Sequence, residues 1–295
     1  MPNLTADYQQ ALARIAALQA QDTDAINPLC RTHLLTHGAQ VERAVVFLHG
    51  FTNCPQQFRT LAQMFFDEGC NVLSARIPFH GLRYRLTDSL AGLTSDVMLR
   101  FTGDVLDMAH GLGEEVTLVG LSLGGTLALW AAQQRPDLDR AVSIAPLIAP
   151  RHVPRAALPL LVWLARLLPN FLVWWDPKLK ADSPGPQHAY PRFATRALAE
   201  VFRIAQHIQA DARKPNAVPQ TRSVLLVTNA NDPAVDNAAT QAIIARWRAN
   251  GATDIETYEF DASLQLLHDL IDEAQAGQRT EVVYPVLARL ISDAP

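Results

Sequence analysis

The stretch Glu115-Val-Thr-Leu-Val119-Gly120-Leu121-Ser122-Leu123-Gly124-Gly125-Thr126 decides the fold. Its first five residues are β-prone and mostly apolar, as in a buried strand. From Thr126 to Arg135 the chain turns to Leu, Ala, Trp and Gln, which suit a helix. Between the two lies Gly-x-Ser-x-Gly. The pattern alone is weak, since about one chain in ten of this length would contain it by chance. Between a strand and a helix it acquires a mechanical meaning. A serine on a tight strand-to-helix turn is lifted clear of the sheet, and small neighbours let the backbone approach closely. The N-terminus of the following helix then brings free N–H groups and a positive dipole end to the same place.

Outward from this turn, short β-rich runs alternate with helical patterns. Strands are expected at Arg43–Leu48, Asn71–Ile77, Glu115–Val119, Arg140–Ile144, Ser223–Thr228 and Ile255–Phe260. Helices are expected over Gln57–Glu68, Ser95–His110, Thr126–Arg135, Asn237–Asn250 and Arg279–Leu290. Such alternation implies an α/β fold, a mostly parallel sheet with helices on both faces. It breaks between about Pro146 and Pro219, a stretch rich in proline and aromatic residues. The resulting division is 1–40 as an N-terminal helix and lead-in strand, 41–147 and 217–295 as the core, and 148–216 as a helical cap insertion. Tyr8, Leu12, Ile15 and Leu18 recur at helical spacing and predict an amphipathic helix near the start.

Composition narrows the function classes. Apolar residues make up 49% and charged residues 18% of 295, with a net charge of −4. That is globular, and it argues against nucleic acid as a partner, which would require an excess of Lys and Arg. The start has no basic region followed by an apolar run, so no signal peptide is expected. The apolar stretch 156–175 is interrupted by Pro159, Arg166 and Pro169 and is not expected to span a membrane. Cys30, Cys54 and Cys70 lack metal-ligand or disulfide-framework spacing. They are expected to be buried, reduced thiols, with a cytoplasmic location as the default and no metal.

A serine nucleophile needs donors for the developing oxyanion, a base, and a group to orient the base. The backbone N–H of Leu123 is one expected donor. The loop His49-Gly50-Phe51-Thr52, at the end of an early strand, offers Phe51 as the second. His49 is expected to hold that loop together. His268 alone among nine histidines lies beyond the last strand, which makes it the expected base. The acid should follow the preceding strand, where Asn229-Ala-Asn-Asp232-Pro-Ala-Val-Asp236 supplies two candidates. Asp232 is nearer the strand end, and Asp236 suits a helix cap. Asp261 and Asp269 are remoter options.

With these residues in place the chain resembles the α/β-hydrolase superfamily, in its carboxylesterase and monoacylglycerol-lipase-like branch. The resemblance rests on His49-Gly50-Phe51-Thr52, Gly120-x-Ser122-x-Gly124, Asn231-Asp232-Pro-Ala-Val235 and His268, and spans about residues 40 to 295. Asn229 departs from the Gly that the family often places before the acid. The resemblance implies about eight strands with a cap inserted after the sixth, a Ser122–Asp232–His268 triad, an oxyanion hole of Phe51 and Leu123, and no cofactor. It also implies that the Pro78-Phe-His80-Gly81 loop shapes the pocket, with His80 structural. The implied reaction is hydrolysis of a small ester or lipid-like substrate, a short-to-medium acyl ester or monoglyceride, through an acyl-enzyme. Leu160, Trp163, Leu167, Phe171, Trp174 and Trp175 of the apolar cap are candidate substrate contacts. Thioesterase, lactonase, peptidase and carbon–carbon hydrolase chemistry could use the same residues, and a non-catalytic ligand-binding protein could keep the fold. Ser at 122 disfavours a haloalkane dehalogenase, whose nucleophile is a carboxylate.

Overall fold

The computed structural model describes residues 2, 4–5, 7–182 and 185–293. In chain order the regular elements are α1 (Tyr8–Gln19), β1 (His33–Leu35), β2 (Val41–Leu48), α2 (Arg59–Asp67), β3 (Asn71–Ala75), α3 (Ser95–Ala109), β4 (Gly113–Leu121), α4 (Leu123–Gln134), β5 (Arg140–Ile144), α5 (Leu158–Leu167), β6 (Leu172–Trp174), β7 (Arg192–Ala194), α6 (Thr195–Asp211), β8 (Ser223–Asn229), α7 (Asn237–Ala249), β9 (Ile255–Phe260) and α8 (Thr280–Ser292).

The central sheet runs β1-β3-β2-β4-β5-β8-β9, parallel except for β1, which pairs antiparallel with β3. It has seven strands among the described residues, not the eight implied by resemblance. The segment ahead of β2 supplies only the short His33–Leu35 strand, so the insertion follows the fifth strand in chain order rather than the sixth. The strands are nearly continuous apolar runs because both faces are covered. Alternate residues of β2 divide between two cores: Ala44, Val46 and Leu48 enter one, Val45 and Phe47 the other. The first core receives α1, α3, α4, α6 and α7, with Trp247 fully buried within it. The second receives α2 and α8.

Helix α1 starts at Asp7, whose side chain accepts from the Gln9 N–H, and buries Ala11 and Ile15. The insertion between β5 and β8 contains α5, the antiparallel pair β6–β7, and α6. Helix α5 buries only Leu158 and Val162, one turn apart, and leaves Leu160, Leu161, Trp163 and Leu167 exposed. No helix among the described residues is long and apolar enough to cross a membrane.

The cysteines differ from expectation. Cys30 and Cys54 form a disulfide with Cα atoms 5.2 Å apart, and Cys70 is a buried free thiol. Two short 3₁₀ turns, Pro28–Cys30 and Pro55–Phe58, pack together and bring the sulfurs into reach, a tertiary meeting that their spacing does not encode. The absence of a disulfide was the ground for expecting a reducing compartment, and that ground is gone.

The order β3-β2-β4 makes the sheet change direction between β2 and β4. In open parallel sheets the crevice at such a point, beyond the carboxyl ends of the strands, is where ligands bind. Strand β2 ends in His49-Gly50-Phe51, and β4 ends one residue before Ser122.

Candidate active site

Ser122 stands between β4 and α4 with φ 56° and ψ −109°, a left-handed backbone conformation unfavourable to a residue with a Cβ. Its surroundings explain the flanking glycines. A Cβ on Gly120 would lie 2.1 Å from the backbone of Gly124, and one on Gly124 would lie 1.9 Å from the carbonyl oxygen of Leu48. The turn is pinned by Ser122 N–H donating to the Ile144 carbonyl at 2.9 Å, and by Gly124 N–H donating to the His49 carbonyl at 3.2 Å. The second bond ties the serine turn to the loop after β2.

His268 lies between β9 and α8. Its Nε2 is 2.9 Å from Ser122 Oγ, and its Nδ1 is 2.8 Å from Asp232 Oδ2. Asp232 is fully buried, and its other oxygen accepts from the N–H groups of Ala234 at 2.8 Å and Val235 at 3.0 Å. Burial alone would raise the Asp232 carboxyl. The hydrogen bond and charge of His268, with the two amide donors, outweigh it and hold the group below the usual carboxylate range. Burial likewise opposes the charged form of His268, but Asp232, then Asp269, raises its pKa above the ordinary histidine value. With Nδ1–H donated to Asp232, Nε2 is left to accept the serine proton. Asp236 does not enter this chain: it caps α7 by accepting from Ala238 N–H at 3.1 Å and pairs with Arg155.

The N–H groups of Phe51 and Leu123 carry no hydrogen bond to protein among the described residues. Leu123 is the first residue of α4, where no intrahelical partner exists. Gly50 brings the preceding loop close, since a Cβ there would lie 3.5 Å from that of Ser122. His49 is buried, accepts from Ile77 N–H at Nε2 (3.1 Å), and so donates from Nδ1 to the Gly50 carbonyl at 2.9 Å. Desolvation pushes its pKa well down, and that of His80 to about 4, so both rings are neutral fixtures of the loops.

Two polar bridges join the Gly50–Cys54 loop to the segment following His268. Gln57 accepts from Gly50 N–H at 2.8 Å and donates to Asp269 Oδ1 at 3.0 Å. Asn53 donates to Asp272 Oδ2 at 3.0 Å, and His188 of the insertion meets the same oxygen at 3.1 Å. Sequence reading missed Gln57, Asn53, His188 and Asp272, because none belongs to a local motif.

Ser122 and His268 open into a cavity of about 600 Å³, with Phe51, Leu147, Trp175, Tyr190, Leu198 and Phe202 among its walls. Trp163, Leu167, Phe171 and Trp174 do not line it, nor does Leu160. Trp163, Leu167 and Phe171 face outward, and Trp174 lies under the guanidinium of Arg192. The helix is apolar on nearly every side, so its pattern could not indicate which side turns inward. Of the cap candidates only Trp175 reaches the cavity, its Nε1–H donating to Thr52 Oγ1 at 3.0 Å. Among the described residues no group of three or more His, Cys, Asp or Glu side chains is placed to hold a metal ion.

Comparison with known proteins agrees with this architecture. The chain is 30% identical over 106 residues to the thermostable monoacylglycerol lipase of Bacillus sp. (strain H-257), a match covering 34% of this chain and 39% of that protein. The alignment therefore spans well under half of the relative. Among solved structures, the metagenome-derived lipolytic enzymes LipS and LipT provide one similar fold (TM-score 0.66, 20% identity, 90% of this chain and 99% of that one). The monoacylglycerol lipase of Paleococcus ferrophilus is another (TM-score 0.65, 17% identity, 88% and 98%). At such identities the likeness establishes a shared α/β-hydrolase fold. Residues 39–275 match the family described as serine aminopeptidase, S33, and the chain belongs to that family of α/β hydrolases.

Proposed function

We propose that the protein is a serine esterase that hydrolyses short-to-medium acyl esters or monoglycerides through an acyl-enzyme on Ser122. The observation that carries this reading is the continuous relay Ser122–His268–Asp232, at 2.9 and 2.8 Å, opening into an apolar cavity. In the first step Ser122 Oγ attacks the ester carbonyl carbon while His268 Nε2 takes its proton. The N–H groups of Phe51 and Leu123 receive the oxyanion. Collapse expels the alcohol, which takes the proton from His268. Water then attacks the acyl-enzyme with His268 again as base, releasing the acid and restoring Ser122. Asp232 keeps His268 in the required tautomer and stabilises its cation.

The family's description favours a second reading, aminopeptidase activity. An aminopeptidase must bind an α-ammonium, which calls for a free carboxylate in the cavity. Asp269 is the only acid among the described lining residues. Burial first, then Asp272, pushes its carboxyl up, and Gln57 already occupies one oxygen. Arg85 and Arg151 also line the cavity and would repel an ammonium. These features support the ester reading. Monoacylglycerol, the substrate for which these related lipases are named, points the same way. The Cys30–Cys54 bond suits an oxidising compartment better than the cytoplasm.

A panel of p-nitrophenyl esters, monoglycerides and aminoacyl p-nitroanilides tests the reading. Esters should be turned over at least about 100-fold faster, by kcat/KM, than any anilide. Preference for an anilide with a free amino terminus would replace this reading with the peptidase one.

A further inference from the structure

A second cavity, of about 580 Å³, lies between the start of α5, the C-terminal half of α6 and one face of α7. Its size is within the range of small-molecule sites. Ser122, Asp232 and His268 are not among its walls, so it is distinct from the site described above. Leu158 and Ile243 contribute an apolar floor, and Arg155, Arg213 and Arg246 line it without a single Asp or Glu. In a chain of net charge −4, three arginines around one concavity, one of them paired with Asp236, leave a local excess of positive charge.

Arg155 is satisfied by Asp236, with Nη2–Oδ1 at 2.9 Å. Neither Arg213 nor Arg246 has a side-chain hydrogen bond or ion pair among the described residues. Arg246 lies in the last turn of α7 and Arg213 just beyond the end of α6, where a cation meets the negative end of a helix dipole. That placement accounts for positive charge at each helix end. It does not account for both opening on the same apolar hollow. Gln206 is also among its walls, although its Nε2, which has no hydrogen-bond partner, is buried away from the open space.

We propose that this cavity is a binding site for an amphipathic anion, a carboxylate or phosphate head on a short acyl chain, with Arg213 and Arg246 on the head and Leu158 and Ile243 beneath the chain. Guanidinium forks match carboxylate and phosphate oxygens, and Arg213 and Arg246, unlike Arg155, have no carboxylate partner among the described residues. Its walls belong to the insertion and to α7, whose N-cap Asp236 follows Asp232 by four residues, so an occupant bridges the cap to the acid-bearing side of the active site.

The test is calorimetric titration of protein whose Ser122 has been blocked by a phosphonate, which fills the active-site cavity. Decanoate, decyl phosphate, decanol and inorganic phosphate are the probes. Decanoate or decyl phosphate should bind one site, and decanol and inorganic phosphate much more weakly. Arg213→Gln/Arg246→Gln should weaken the amphiphile at least about tenfold while leaving ester hydrolysis without added anion unchanged. Tighter decanoate would identify the product of the reaction proposed above, and that source rests on the esterase reading. Tighter decyl phosphate would identify a phosphorylated lipid. The proposal is overturned if decanol binds as well as decanoate, if inorganic phosphate binds as well as decyl phosphate, or if no amphiphile binds. It also falls if the folded double variant binds as tightly as wild type. The probe comparison needs no variant, and binding is read separately from hydrolysis, so failure here leaves the esterase reading standing.

Discussion

Gln57 donates to Asp269 at 3.0 Å while its carbonyl oxygen accepts from Gly50 N–H at 2.8 Å, so one side chain joins the loop carrying Phe51 to the residue next to His268. Gln57→Leu would orphan the buried Gly50 N–H, at a cost of about 1–3 kcal/mol, and would free one oxygen of the half-buried Asp269 carboxyl. The expected result is a fall of about 10- to 100-fold in kcat with little change in KM, read by steady-state hydrolysis of a p-nitrophenyl ester. An unchanged kcat in the folded variant would make the bridge merely structural.

Gly124→Ala places a methyl 1.9 Å from the Leu48 carbonyl oxygen, where only backbone movement can relieve the clash. A loss of about 3 kcal/mol or more in urea unfolding is expected, with activity falling in the fraction that remains folded. A stability loss under about 0.5 kcal/mol would show that the turn relaxes easily.

The Asp232–His268 interaction has a pH signature. Asp232 is held below its ordinary value, so its contribution is complete above the unfolded pKa of about 3.9 and is lost as pH falls through the lower folded value. His268 is raised, so its contribution is complete below about 6.5 and is lost as pH rises through the higher folded value. The interaction therefore stabilises most between about pH 4 and 6.5. On the proposed mechanism His268 must be neutral to act as base, so the acid limb of kcat/KM should lie above about 6.5. Asp232→Asn removes the larger of the two influences that raise His268. The limb should move downward and kcat should drop by about 10⁴. A limb that stays in place would mean that another group sets it.

The Cys30–Cys54 bond joins residues 24 apart in sequence. Cys54→Ser, or reduction, should lower stability by about 3 kcal/mol on the loop-entropy estimate. Thiol counting on the denatured, unreduced protein should find one free thiol, Cys70. Three free thiols would remove the bond.

The parts of this site written in the sequence are those fixed by local geometry. The Gly120–Gly125 turn, the strand end at His49–Phe51 and the loop with Asp232 each depend on neighbours within a few residues, and the fold brings Ser122, Asp232 and His268 together. The bridges from Gln57 and His188 cross 212 and 84 residues of sequence and join ordinary side chains, so no spacing announces them. The disulfide is the same kind of through-space meeting. In α5, Leu160, Leu161, Trp163 and Leu167 are as apolar as the buried Leu158 and Val162, and periodicity gives no inward face.

The identity of the nucleophile is tested most directly by treating the protein with a fluorophosphonate and mapping the adduct by peptide mass spectrometry, alongside ester turnover by Ser122→Ala. One adduct per chain on Ser122 is expected, with none on the variant and a rate loss of about 10⁴–10⁶. Labelling at another residue, or a folded variant that keeps wild-type turnover, would contradict catalysis through Ser122.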